Sequence, residues 1–192
     1  MNYEYSRLKK MAESVSGVDV LDIGYAALPN PYLSSHHCTG YDLALPNINS
    51  GYIEEIQGDI NEINDKLQGY RFDTILLGEL IEHVENPYRL LDSLHQLLKG
   101  NKRVIISTPN PLGFPVCFCE LFNIKRYFYT DEHKYYFLPR WAERLIQQSD
   151  YKIERIIPVG LLVPGFSISI PSPKIFSYQL IYVCKSIRSK QP

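Results

Sequence analysis

Apolar residues along the chain fall into two alternating rhythms. Tyr5, Leu8, Ala12 and Val15 recur at helical spacing before Gly17, which predicts a first amphipathic helix. Residues 18–23 then form a buried-strand run closing on Asp22 and Gly24. Residues 38–41 make a shorter run ending at Asp42, and residues 53–57 a third before Gly58 and Asp59. The stretch 72–110 holds a whole strand–helix–strand unit. Phe72, Ile75, Leu76 and Leu77 suit a strand covered on both faces, and the polar group Glu79, Glu82 and His83 follows at once. Asn86 and Pro87 supply an N-cap and a first-turn proline. Leu90, Leu91, Leu94, Leu97 and Leu98 recur at helical spacing, Gly100 is placed to end that helix, and residues 103–107 resume a β-branched strand. Pro139 opens another helix with Trp141, Ala142, Leu145 and Ile146 on one face. Residues 152–159 and 178–184 are two closing strands joined by a proline-rich loop.

Strands alternating with helices predict an α/β fold: a mostly parallel, seven-stranded sheet with helices on both faces. The last two strands have no helix between them, so they are expected as an antiparallel hairpin at one edge. A chain of 192 residues, 45% hydrophobic, supports one core, and a single domain over 1–192 is expected. The formal charge of −1, without a block of like charges, gives no electrostatic case for nucleic acid or an anionic membrane. Apolar runs are strand-sized, so no membrane span is expected. The N-terminus lacks the apolar core of a signal peptide, which makes the cytoplasm the expected compartment.

Cys38, Cys117, Cys119 and Cys184 offer no pair of pairs for zinc, and they are read as reduced, buried side chains. His36 and His37 would point to opposite faces of a strand, so they do not form a metal site with Cys38. The acids at three successive strand ends, Asp22, Asp42 and Asp59, are more informative. A nucleoside lying across the carboxyl edge of a parallel sheet needs such acceptors for ribose hydroxyls and an adenine amino group. Gly24 would let backbone N–H groups approach a charged tail of that ligand.

VDVLDIG, YDLALP, QGDI, FDTILLGELIEHVENP and KRVIISTPN resemble, in order, the sequence blocks of class I S-adenosylmethionine-dependent methyltransferases. The likeness runs over residues 18–149, GELIEHVENP being its most specific piece. DEHKYYFLPRWAERLIQQSDYKI is similar to a later block of the same family. The resemblance implies a Rossmann-like class I methyltransferase fold and S-adenosylmethionine as cofactor. It implies that Asp22, Gly24 and Tyr25 face the methionine part, Asp42 the ribose, Asp59 and Ile60 the adenine, and that Gly78 and Glu79 line the floor beneath the sulfonium. His83 and His133 are the candidate bases for a hydroxyl acceptor. Glu79, Glu82 and His83 match a divalent-ion pattern of ubiquinone-biosynthesis O-methyltransferases, but most relatives with this block act without metal, so none is expected. The plain alternative is that these three are polar only because the strand has left the core.

One block departs from the family. Where the family reads D-x-G-x-G-x-G, this chain reads Asp22-Ile23-Gly24-Tyr25-Ala26-Ala27-Leu28, and Pro31 interrupts the stretch where a long helix usually follows. The expected activity is methyl transfer to oxygen of a small molecule, a sugar or lipid-linked glycan before other metabolites. The rival is a non-catalytic binding module whose altered loop has lost cofactor affinity. A nicotinamide oxidoreductase is weaker, since Gly24-Tyr25-Ala26 does not supply a GxGxxG turn. Segments 110–137 and 163–175 are expected to cover the substrate. Tyr127, Phe128, Tyr129, Tyr135, Tyr136 and Phe137 serve there as a lid, as core packing or as a face for a homodimer or partner protein.

Overall fold

The computed structural model describes residues 3–114, 116–122, 124, 133–162 and 169–188. Helix α1 (Tyr3–Ala12) precedes strands β1 (Asp19–Ile23), β2 (His37–Asp42) and β3 (Glu54–Gln57). Then come α2 (Ile63–Lys66), β4 (Phe72–Gly78), α3 (Pro87–Leu94), β5 (Leu98–Pro109), α4 (Val116–Leu121) and α5 (Pro139–Gln148). The chain closes with β6 (Tyr151–Leu162), β7 (Ser169–Ile170) and β8 (Gln179–Ser186). The sheet order is β3-β2-β1-β4-β5-β8-β6-β7. Strands β1 to β5 are mutually parallel, while β8 runs antiparallel to both β5 and β6. This is the expected mixed sheet with one addition. The eighth strand, β7, is a two-residue ladder against Leu161 and Leu162, too short to leave a periodic signal.

Alternation along the central strands divides the core in two. Leu21, Ile75, Leu77, Val104 and Ile106 face one side with Leu91 and Leu94 of α3 and Leu145 and Ile146 of α5. Val20, Leu76, Ile105, Ile181 and Val183 face the other, under Met11 of α1 and Leu33. With both faces covered, the strands need near-continuous apolar sequence, and residues 75–77 and 104–106 supply it. Among the described residues no helix is long and apolar enough to cross a membrane.

Three local expectations are corrected. The helix begun at Pro87 stops at Leu94, passes through one 3-10 turn (His95–Leu97), and β5 has already started at Leu98. His95 stacks on Tyr151 with ring centroids 4.3 Å apart and bonds the Ser149 carbonyl at 2.9 Å. Those contacts hold the chain out of another α-turn, and Gly100, at φ 70°, belongs to the irregular start of β5 rather than to a helix cap. Trp141 lies off the buried face of α5, 58% exposed, with the Arg144 guanidinium 5.6 Å from its ring centre. On α1 the buried residues are Arg7, Leu8 and Met11, while Tyr5 is 40% exposed. The helix is turned so that an arginine faces inward.

The Asn86 cap is as expected: its side chain accepts from the Arg89 N–H at 2.9 Å. Asn86→Ala should lower stability by about 1 kcal/mol, read as a reduced urea midpoint at unchanged slope; an unmoved midpoint would show that the cap contributes nothing.

Candidate active site

The carboxyl ends of β1, β2 and β4 gather most of the residues singled out from sequence. At the end of β1, Gly24 holds φ 77° and its N–H donates to the Tyr41 carbonyl at 3.0 Å, a left-handed turn that glycine adopts without strain. Tyr25 then folds inward. Its ring lies against Gly40 of β2, where a Cβ would come within 2.4 Å of it, and stacks at a tilt on Tyr52 at 5.1 Å. Tyr52 donates to Asp22 Oδ2 at 2.6 Å and accepts from the Asn30 N–H at 2.9 Å. Burial pushes the Asp22 carboxyl up to about 6, with the Tyr52 hydrogen bond and Arg7 opposing. The Ala26 N–H donates to Asp42 Oδ2 at 2.8 Å. A loop short of glycines is thus held by side chains of its own neighbourhood. Beyond it the chain makes only a single 3-10 turn (Pro31–Leu33), capped by Asn30.

Two cavities meet at Gly24. The smaller, about 310 Å³, is bordered by Asp42, Asp59, Ile60, Leu80 and His83. Asp59 caps the next 3-10 turn by accepting from the Asn61 N–H at 2.8 Å, while Tyr41 Oη donates to its carbonyl at 2.6 Å. The larger, about 590 Å³, is bordered by Asp22, Tyr25, Gly78, Glu79 and His133, and by Arg7 from α1. Asp22, Gly24, Tyr25, Gly78 and Glu79 therefore share one cavity, and Asp42, Asp59 and Ile60 share the other.

Arg7 went unremarked in the sequence. Its guanidinium pairs with Glu4 at 2.7 Å and donates to Ser107 Oγ at 3.3 Å. A Cβ on Gly78 would lie 2.8 Å from Nη1, so a side chain at the end of β4 would make the guanidinium shift. The sole hint was a charged residue beside Leu8 on a helix face otherwise apolar. Tyr52 gave no signal, and Gln179 gave only its position as the first residue of an apolar strand.

Glu79 adopts φ 54°, a left-handed conformation that costs a non-glycine residue energy. Its N–H donates to Ser107, at 3.2 Å to the carbonyl and 3.1 Å to Oγ, and its Oε2 accepts from Gln179 Nε2 at 3.1 Å. Burial pushes Glu79 up to about 7, with Arg7 opposing. Glu82 is buried and lies well above the usual carboxylate range, through desolvation first and the Glu79 charge second. Its carbonyl accepts from the N–H groups of Lys134 and Tyr135 at 2.8 and 3.1 Å, which ties the segment after His133 to the site. His83 and His133 meet edge to face, ring centroids 4.6 Å apart. Ligand atoms of Glu82, His83 and His133 all lie within 4.8 Å of one another, a spacing that could hold a divalent cation. His133 thus stands where the sequence pattern put Glu79, whose side chain reaches away to Gln179. Of the expected cover, Tyr127, Phe128 and Tyr129, and Phe166 and Ile168 of the proline-rich loop, fall outside the described residues.

A family profile described as a methyltransferase domain matches residues 4–155. The chain belongs to that methyltransferase family. Its fold is that of the S-adenosylmethionine-dependent class I members. A methyltransferase of this kind from Archaeoglobus fulgidus superposes with a TM-score of 0.66 at 18% identity, covering 95% of this chain and 93% of that one. Magnesium protoporphyrin IX methyltransferase from Synechocystis PCC 6803, solved with bound S-adenosylhomocysteine, gives 0.63 at 13% identity, covering 96% and 84%. In sequence the chain is 31% identical over 137 residues to a ubiquinone biosynthesis O-methyltransferase of Coxiella burnetii, covering 65% of this chain. The match spans 53% of that relative, so the chain corresponds to about half its length.

For an acid raised by burial, the folded state holds its proton more tightly than the unfolded chain. The resulting stability is full below the unfolded value near 4 and is lost as pH rises through about 6 for Asp22. Asp22→Asn, which keeps an acceptor for Tyr52, should therefore gain on the parent as pH rises from 4 to 8, compared by denaturant unfolding. Parallel pH profiles for the two proteins would contradict a buried, raised Asp22.

Proposed function

We propose that this methyltransferase-family protein transfers a methyl group from S-adenosylmethionine to an oxygen of a small molecule. The observation that carries the reading is the pair of cavities meeting at Gly24, one edged by Asp42 and Asp59, the other by Gly78, Glu79 and Arg7. Their volumes, about 310 and 590 Å³, fit the range of small-molecule clefts, about 300–1,000 Å³. When bound, the cofactor supplies an activated methyl group on a cationic sulfur. Asp42 accepts from the ribose hydroxyls, Asp59 takes the adenine amino group and Ile60 flanks the ring. Gly24 and Tyr25 border the methionine tail, near Asp22. Arg7, the cation that borders the larger cavity, faces the tail's carboxylate, which takes over part of the work of the missing glycines and helix. The backbone of Gly78 and Glu79 forms the floor under the reacting centre.

Displacement at a sulfonium methyl asks for alignment and exclusion of water more than for covalent help. A hydroxyl acceptor also loses a proton, and here the two histidines part. His133 borders the larger cavity together with Glu79, whereas His83 borders the smaller one. We assign His133 as base and His83 as the neighbour that orients it. Transfer to oxygen draws support from the curated relatives, named for O-methylation in ubiquinone biosynthesis. Within small molecules a sugar or lipid-linked glycan remains the favoured acceptor. One observation favours the rival, a module without cofactor: the Ala26 N–H is spent on Asp42 rather than left for a ligand.

Calorimetric titration with S-adenosylmethionine and S-adenosylhomocysteine separates the two readings. Micromolar binding of either supports the enzyme, and no binding up to millimolar supports the module. Asp42→Ala should weaken cofactor binding by about 1–3 kcal/mol, and unchanged affinity would refute its ribose role. With an acceptor found by screening, His133→Ala should lower turnover about 10²–10⁴-fold at constant cofactor affinity; a fully active variant would remove His133 from the mechanism.

A further inference from the structure

The Glu79 side chain does not lie over the nucleoside half of the site. In the order β1-β4-β5-β8 it starts at the end of β4, crosses the end of β5 and bonds Gln179 at the start of β8. That direction leads away from β1, β2 and β3, whose ends carry the residues assigned to the cofactor. Both residues border the larger cavity. Only one bond joins them, from Gln179 Nε2 to Glu79 Oε2. Glu79 Oε1 and Gln179 Oε1 are both buried and neither has a partner within hydrogen-bond geometry among the described residues, while the Ser107 hydroxyl acts on the Glu79 carboxyl and holds its pKa down. Gln179 is 1% exposed. Desolvated acceptors are costly unless a ligand brings donors to them.

The backbone adds a second observation. Glu79 is held in a left-handed conformation by two hydrogen bonds to Ser107, so the fold spends energy to aim this acid across β5. Charge gives a third. Arg7 pairs directly with Glu4, and its charge reaches Glu79 through space, with no hydrogen bond or ion pair joining Arg7 to Glu79 among the described residues. Hydroxyl groups donate and accept alike, and either oxygen could take one. An ammonium donates only, carries the complementary charge, and can serve both oxygens at once.

We propose that Glu79 and Gln179 form a recognition site for an ammonium group on the methyl acceptor, so that the substrate is an amine-bearing small molecule such as an amino sugar. The group is a handle that orients the acceptor, while the methylated atom lies toward Gly78 and His133. The proposal rests on the methyltransferase reading for which ligand fills the cavity, and on the side-chain geometry for what that ligand carries.

The test is competitive and uses matched probes: glucosamine against glucose, and tyramine against tyrosol, titrated by ligand-observed NMR with and without saturating S-adenosylhomocysteine. Each amine should bind at least about tenfold more tightly than its hydroxyl partner, the order of one charge-assisted hydrogen bond. Gln179→Met, nearly equal in volume, should abolish the preference while thermal stability and S-adenosylhomocysteine affinity hold, and Glu79→Gln should abolish it too. Equal binding of amine and hydroxyl probes to the parent protein, or a preference that survives both substitutions, would overturn the site. Loss of S-adenosylmethionine affinity in Glu79→Gln with S-adenosylhomocysteine affinity retained would assign Glu79 to the sulfonium instead and also overturn it. An amine preference in a protein that binds neither cofactor form would sink the methyltransferase reading and leave the recognition site standing.

Discussion

The guanidinium of Arg7, carried inward by α1 and set over the ends of β4 and β5, organises the carboxyl edge of the sheet. A buried cation is tolerable only among anions and acceptors, and here it has Glu4 in direct contact, Ser107 Oγ within hydrogen-bond reach and the charges of Glu79 and Asp22 nearby. Each of those groups is fixed in turn. Ser107 Oγ meets both Arg7 and the Glu79 N–H, so the acid that follows β4 is pinned through the same hydroxyl. A side chain at Gly78 would displace the cation, which occupies that space. The rotation of α1, with Tyr5 turned outward, follows from the same requirement.

The altered glycine loop is held by other means than glycines. This chain closes the loop with its own side chains: Tyr25 over Gly40, Ala26 on Asp42, Tyr52 on Asp22. Rigidity is retained, and fewer N–H groups remain for a ligand. Arg7 of α1 borders the same cavity as Gly24 and Tyr25 of that loop.

Much of the fold was legible because strands buried on both faces must be almost wholly apolar, and residues 75–77 and 104–106 are. The acids closing β1 and β2, Asp22 and Asp42, and Asp59 just beyond β3 were legible for the opposite reason: polarity returns where the strand leaves the core. Helix limits were read less well. Leu97 and Leu98 bury equally in a helix or a strand, and only the packing of His95 on Tyr151 decides between them. Trp141 could not be placed, since a large ring at helical spacing is apolar whether it faces the core or lies under an arginine. Arg7, Tyr52 and Gln179 were missed because each gains its meaning from a partner distant in sequence: Arg7 bonds Ser107 of β5, and Gln179 bonds Glu79, where no local pattern records the pairing.

The insertion of β8 between β5 and β6 bears on how the protein is made. Gln179 opens that strand, and among the described residues β8 is the strand through which β6 pairs with the parallel half of the sheet. On a ribosome β5 and β6 emerge first, and neither can complete its pairing until β8 slides between them. The ends of β1 to β4, which carry the residues proposed for the cofactor, can take shape well before that moment. A nascent chain can therefore pass through a stage with the β1–β4 edge formed and the Gln179 side of the cavity missing, and synthesis of β8 is what ends it.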